Sequence, residues 1–375
     1  MAAALALAER GRGRTAPNPN VGCVIVREAR VVGRGWTQPG GRPHAEAMAL
    51  AAAGEKSRGA TVYVTLEPCA HASPRGPACA DLLVAAGVAR VVAALGDPDP
   101  RTDGAGFARL RGAGIGVRAG VAEGAARMAM AGFLTRRRLG RPHVTLKLAT
   151  SLDGRIALAS GESRWITGPE ARAHAHLERA RHEGILVGRG TFETDAPGLD
   201  VRLAGLEDRS PRRFVLTTHH PRESGGPSPA PSNMDAPSNM DKGEEMGSRF
   251  RGNDGEWETL PFPSAIADLE GVDHLLVEGG AETAASFLRE GLVDRLLLYR
   301  APILIGAGKA ALGDIGLAAL SEAHGRWRLT DTRMLGSDRL EVYVATDVHR
   351  NRHRHRHDRS RRDTRRPARP RRHEL

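Results

Sequence analysis

Short apolar runs of strand length alternate with helical patterns along this chain from its start to about residue 346, most of them bounded by Gly or Pro. That alternation dictates layered α/β domains, because a buried strand and an amphipathic helix can each hide an apolar face only against the other. In the first part it predicts helices over 2–10, 43–53 and 77–86 and strands over 21–27, 31–36, 61–66 and 88–95. Pro43 opens its helix and Gly54 and Gly87 close theirs, following the preference of helix starts for Pro and of helix ends for Gly. The first two strands read as a hairpin, and the strand–helix–strand units after them imply parallel pairing. The pattern restarts near Pro142, after Arg136, Arg137 and Arg138, which read as a solvated helix end. It predicts strands over 143–149, 184–188, 213–217, 274–278, 294–299 and 339–345, with helices over 169–181 and 283–290. Two domains, 1–141 and 142–346, follow.

Two segments break the pattern. From 221 to about 258 the chain is dense in Pro, Ser, Gly, Asn and Asp and repeats Ala-Pro-Ser-Asn-Met-Asp at 230–235 and 236–241. Such a composition cannot bury enough apolar surface to offset its ordering entropy, so a disordered insertion is expected. It covers a region where a further strand of the second domain belongs, and no replacement strand is evident within it. The second segment is an Arg/His-rich tail, 347–375, also expected to be disordered. The whole chain has a formal charge of +11, but residues 349–375 hold 12 Arg against three acids, leaving the body at only +2. Basicity is therefore a property of the tail, which can contact phosphate backbones but has no aromatic side chain to stack on a base. No specific nucleic-acid recognition is expected.

Three cysteines, an odd number in a long chain, do not make a disulfide framework. With no apolar stretch near the roughly 20 residues of a membrane span, the expectation is a cytoplasmic protein with no membrane partner.

Chemistry concentrates in the first domain. His44 and Glu46 fall at a helix start, Cys69 follows Pro68 at a strand end, and Cys79 opens another helix. One imidazole and two thiolates give three ligands for a Zn2+ ion and leave a fourth position for water, as in catalytic zinc sites. A helix N-terminus favours the Cys79 thiolate. Glu46, two residues from His44, is close enough to shuttle a proton while not itself a ligand. Cys23, in mid-strand, reads as a small core residue. Nine residues separate Cys69 from Cys79, against the two of nucleic-acid base deaminases, and a longer loop suits a small phosphorylated substrate. Nothing of comparable strength marks the second domain, where neither the dinucleotide fingerprint nor a phosphate loop is present.

Pro17-Asn18-Pro19-Asn20-Val21-Gly22-Cys23, His44-Ala45-Glu46, Glu67-Pro68-Cys69 and Asp97-Pro98-Asp99-Pro100, followed by Lys147-Leu-Ala-Thr-Ser-Leu-Asp-Gly154, Ser160-Gly-Glu-Ser-Arg-Trp165, Asp195-Ala-Pro-Gly-Leu-Asp-Val-Arg202 and Val277-Glu-Gly-Gly280, resemble the bifunctional riboflavin biosynthesis family, in order and in both halves. That family joins a diaminohydroxyphosphoribosylaminopyrimidine deaminase to a 5-amino-6-(5-phosphoribosylamino)uracil reductase. The resemblance implies a cytidine-deaminase-like three-layer domain followed by a dihydrofolate-reductase-like domain, with zinc in the first and NADPH in the second. It implies zinc on His44, Cys69 and Cys79, Glu46 as proton shuttle and Asn18 on a small phosphorylated pyrimidine. In the second half it implies substrate contacts at Ser163, Arg179, Leu199, Arg202 and Glu278, with Lys147 as a further candidate. Cofactor contacts are implied at Ala149, Trp165, Thr191, Asp195, Thr218 and Gly280, and a homo-oligomer is expected. Arg179 and Arg202 suit a phosphate, and Arg75 is a candidate for the phosphate in the first site. The chain departs from the family in a Cys69–Cys79 loop one residue longer, in Ala196 where a second Asp is common, and in Thr217 where an Asp often ends the strand. With the insertion, these departures leave a degenerate reductase half as the alternative reading.

Overall fold

The computed structural model describes residues 1–71, 73–217, 249–252 and 255–346. The repeat at 230–241, most of the expected insertion, Thr218 and the tail lie outside the described residues.

Among the described residues, the first half is built on five strands, β1 (Gly22–Arg27), β2 (Arg30–Trp36), β3 (Thr61–Val64), β4 (Arg90–Ala93) and β5 (Gly116–Arg118). Their order is β2-β1-β3-β4-β5. The β1–β2 hairpin is antiparallel, as is the β1–β3 pair, while β3, β4 and β5 run parallel. Around them lie α1 (Ala2–Ala8), α2 (Ala45–Ala53), α3 (Cys79–Ala85), α4 (Ala105–Gly112), α5 (Glu123–Ala129) and α6 (Ala131–Leu139). Cys23 is fully buried in the core between sheet and helices, with Ile25, Val62, Val64 and Leu83. Glycine places α2: a Cβ on Gly33 or Gly35 of β2 would come within 2.2 Å of the Ala49 or Ala45 carbonyl oxygen. The helix therefore lies directly on the strand backbone, which fixes His44 and Glu46 at its N-terminal end.

The second half is a nine-stranded sheet, of order β10-β11-β9-β8-β12-β6-β13-β16-β15. Its strands are β6 (His143–Thr150), β8 (Gly184–Gly188), β9 (Arg212–Leu216), β10 (Arg249–Gly252), β11 (Gly255–Leu260), β12 (His274–Val277), β13 (Val293–Arg300), β15 (Trp327–Leu335) and β16 (Asp338–Ala345). A small ladder joins β7 (Arg155–Ala157) to β14 (Lys309–Ala310), and the helices are α7 (Pro169–Arg179), α8 (Arg189–Asp195) and α9 (Ala281–Arg289). The strands from β11 through β9, β8, β12 and β6 to β13 are parallel neighbours, and their cores, Leu146, Leu186, Phe214 and Leu275 among them, are fully buried.

The structure corrects two expectations. The strand that seemed lost to the insertion is present: β11 starts at Gly255, inside the range expected to be disordered, and pairs in parallel with β9 from Trp257↔Arg213 to Leu260↔Leu216. Its Trp257 is buried against Phe192 and Ile185, the packing that makes a strand of a Gly-Glu-Trp-Glu-Thr-Leu stretch whose composition resembles its loop-like neighbours. Nor are the arginines ending α6 simply solvated. Arg136 donates to the carbonyl oxygens of Gly140 (2.9 Å), Ala267 (2.7 Å), Leu269 (2.8 Å) and Val272 (2.6 Å), so α6 is fastened to the second half. On the same helix the Gly132 N–H donates to His274 Nε2 at 3.1 Å.

Candidate active sites

His44 is the extended residue that precedes α2, and Glu46 lies buried in the first turn. Cys69 follows β3, while Cys79 is the first residue of α3. Those placements bring His44 Nδ1 to 3.3 Å from Cys79 Sγ and 3.7 Å from Cys69 Sγ, with all three donor atoms within 4.8 Å of one another. The Cys79 N–H donates to Cys69 Sγ at 3.2 Å. Hydrogen bonding from the Cys79 thiol, helped by His44, holds the Cys69 thiol down to about 4 against burial. The same contact and burial push Cys79 up, as two adjacent thiols sharing a proton must. Two soft sulfur donors, one already anionic, and an imidazole in so small a space fit a zinc ion. Burial pushes the Glu46 carboxyl up to about 7.

The cavity in front of these groups is lined by Asn18, Arg42, Asp97, Asp99, Arg101 and Arg137 as well as by His44, Glu46 and Cys69. Asn18 Nδ2 donates to the Gly41 carbonyl at 3.1 Å. Glu67 accepts the N–H groups of Asp97 (3.1 Å), Gly104 (3.1 Å) and Phe107 (3.0 Å), which pins the Asp-Pro-Asp-Pro turn against the cavity. Asp99 in turn binds Arg101 through both carboxylate oxygens (2.9 and 2.6 Å) and Arg137 at 3.0 Å. Arg75 is exposed and donates to the Gly40 carbonyl at 3.0 Å, outside this lining.

In the second half a cleft of about 580 Å³ opens at the C-terminal ends of β6, β8 and β12, where ligands bind in open parallel sheets. Ala149, Ser163, Thr191, Asp195, Glu278 and Gly280 line it, with Lys147 and Lys309. A Cβ on Gly279 would lie 2.5 Å from the Thr283 side chain, so only glycine lets the chain turn there into α9 and offer that helix's first amides to the cleft. This glycine-lined approach fits the pyrophosphate of a dinucleotide.

Arg179 meets Glu278 through two parallel bonds of 2.8 and 2.9 Å, and Lys147 Nζ stands 3.7 Å away. Burial alone would raise the Glu278 carboxyl, but Arg179 and Lys147 hold it down to about 2. Arg179 also donates to the Asp200 carbonyl at 3.0 Å, so its guanidinium serves the protein itself. The other expected residues stand apart from the lining. Leu199 is buried with φ at 50°, Arg202 is exposed and 3.5 Å from Asp200, and Trp165 is 67% exposed with the Arg172 guanidinium 4.6 Å from its ring centre. That exposure removes any core role for Trp165.

Residues 1–95 match the cytidine and deoxycytidylate deaminase zinc-binding region, and residues 142–340 match the RibD C-terminal domain. A riboflavin biosynthesis protein RibD from Escherichia coli is 41% identical over 365 residues, covering 90% of this chain and 96% of that one. The chain belongs to the RibD family. The Aquifex aeolicus RibD is 39% identical over 333 residues, covering 86% and 91%. Among solved structures, Acinetobacter baumannii RibD superposes with a TM-score of 0.72 at 34% identity. A Thermotoga maritima diaminohydroxyphosphoribosylaminopyrimidine deaminase/5-amino-6-(5-phosphoribosylamino)uracil reductase does so with 0.75 at 29%. Each comparison covers 92% of this chain and 97% of the other. The chain is thus a bifunctional enzyme of riboflavin biosynthesis, a zinc-dependent deaminase joined to an NADPH-dependent reductase.

Several residues that shape the family's two sites in this chain were not singled out from the sequence. Glu67, Arg42, Asp99, Arg101 and Arg137 line or brace the first cavity. Glu67 and Asp99 carried a signal, as parts of the Glu-Pro-Cys and Asp-Pro-Asp-Pro runs, but neither was given a role. Arg137 lies 38 positions from its partner Asp99, a distance at which spacing says nothing.

Proposed function

We propose that the first site hydrolytically deaminates 2,5-diamino-6-(5-phosphoribosylamino)pyrimidin-4-one and that the second reduces the deaminated product, turning its ribosyl group into a ribityl chain. The His44–Cys69–Cys79 cluster beside buried Glu46 carries this reading. Zinc held by those three residues supplies, when bound, a water acidified enough to act as a nucleophile at neutral pH. Glu46, buried beside those ligands, would hold a proton on a carboxylate oxygen and pass it to the departing amine, so that ammonia would leave as an oxygen from water stays on the ring. Asn18, anchored on Gly41, offers its amide to the pyrimidine edge.

NADPH, when bound in the second cleft, would supply a hydride for C1 of the opened ribosylamine. Ala149, Thr191, Asp195 and Gly280 would hold the cofactor, and Ser163 and Glu278 would meet the substrate, all from the lining of that cleft. Arg179 acts through Glu278, which it keeps ionised, and Leu199, Arg202 and Trp165 contribute from outside the lining. β11 pairs beside β9, with the Thr217 N–H bonded to the Leu260 carbonyl at 2.9 Å, so the strand frame next to Thr217 is kept despite the departure there. Three buried, unpaired cysteines suit the reducing cytoplasm.

The deciding experiment follows product mass. The zinc-loaded chain is expected to deaminate the pyrimidine without NADPH, then to consume NADPH on the product. Chelation and Glu46→Ala are each expected to abolish the first step only. Deamination that survives Glu46→Ala would overturn the assignment of the first site, and absent NADPH oxidation on the deaminated compound that of the second.

A further inference from the structure

Three arginines line the deaminase cavity, and they are not equivalent. Arg101 and Arg137 both spend their charge on the buried carboxylate of Asp99. Arg42, two residues before His44, is half-buried in the same lining, yet among the described residues its side chain makes no hydrogen bond and no ion pair. Its guanidinium lies against the loop between the two cysteine ligands, where a Cβ on Gly76 would come within 3.3 Å of Nη1. A cation partly withdrawn from water needs an anion or several acceptors near it. The protein provides neither, although it partners the two neighbouring guanidiniums.

We propose that Arg42 reads the phosphate of the deaminase substrate. The inference rests on the reading of the first site given above. A pyrimidine ring carries no charge to offset a guanidinium, whereas a phosphate monoester does, and the planar fork of Arg matches two of its oxygens. Position agrees with chemistry: Arg42 lines the same cavity as His44, Glu46 and Cys69 and lies against the cysteine loop, within reach of a group attached to a ring held over the metal ligands. Arg75, exposed and bonded to the Gly40 carbonyl, is then a bystander.

The test uses the zinc-loaded full chain with the phosphorylated diaminopyrimidine and with the same compound after phosphatase treatment. Arg42→Ala is expected to raise KM for the phosphorylated compound about 10- to 100-fold, with kcat little changed and the dephosphorylated compound unaffected. Arg42→Lys, which keeps the charge without the fork, recovers part of the loss. Inorganic phosphate is expected to compete with substrate on the wild type and not on Arg42→Ala. Equal losses on both compounds, or an unchanged KM for the phosphorylated one, overturn the proposal. Zinc content and the unfolding midpoint are measured in parallel. Should Arg42→Ala lose its metal, Arg42→Gln and Arg42→Lys with phosphate competition decide the question in the same way. A wild type that turns over neither compound overturns the reading of the site itself, and the proposal with it.

Discussion

Glu278 and Asp97 are both buried carboxyl groups on a cavity wall, and their surroundings drive them in opposite directions. Burial, with Asp99 and Glu67 nearby, pushes Asp97 up to about 6 from an ordinary 3.8. A carboxyl raised by folding contributes stability that is complete below the unfolded value and is lost as pH rises through the folded one. Asp97→Asn, which keeps the acceptor for the Asp99 N–H, should therefore stabilise the chain by on the order of 2 kcal/mol above about pH 7 and by almost nothing near pH 4. Urea midpoints at the two pH values check this, and a gain at low pH instead would refute it. Glu278, held down to about 2 from 4.5, behaves in reverse: its contribution is present above 4.5 and fades as pH falls toward 2. Arg179→Ala leaves that carboxylate buried with Lys147 and His176 near it but without its bidentate partner. The variant should lose about 3–5 kcal/mol at neutral pH, with a smaller deficit near pH 5, where protonation relieves the stranded charge. Denaturant titrations at both pH values read the difference.

At the scale of elements, α6 joins the halves. Arg136 donates to four carbonyl oxygens, three of them in the second half, and Arg137, the next residue, reaches Asp99 at the deaminase cavity. Arg136→Ala should cost on the order of 3 kcal/mol of domain packing and split one calorimetric transition into two, whereas a single unshifted transition would show the clamp to be idle. The sequence disclosed elements in proportion to how they bury. The strand Gly184–Gly188, all five of its residues buried, was predicted to the residue. The strand Trp327–Leu335 was not, because its residues are exposed or half-exposed at a sheet edge and show no alternation. The zinc cluster was legible because each ligand sits at an element boundary that local sequence marks. The Arg179–Glu278 pair, 99 positions apart, drew each residue forward by resemblance, but not their bond to one another. That bond exists only once α7 packs beside β12.

For the whole molecule, the charge on the tail is separable from the chemistry. Among the described residues all three sheets end by Ala345, where β16 pairs with β13 and β15. Truncation after Thr346 should leave both activities unchanged while removing most of the chain's formal charge of +11 and any salt-sensitive retention on nucleic acid. Activity assays and retention on an immobilised duplex test the two halves of that statement; a drop in either turnover would give the tail a catalytic part.

Arg136 grips the second half by its main chain rather than by side chains. Carbonyl oxygens are the same whatever residue carries them, so the stretch from Ala267 to Val272 can drift in sequence without loosening the join. A single insertion or deletion there would move all three acceptors at once. The seam between the two enzymes is thus indifferent to spelling and strict about length, an asymmetry that a saturation library of point changes beside one of single-residue indels would display.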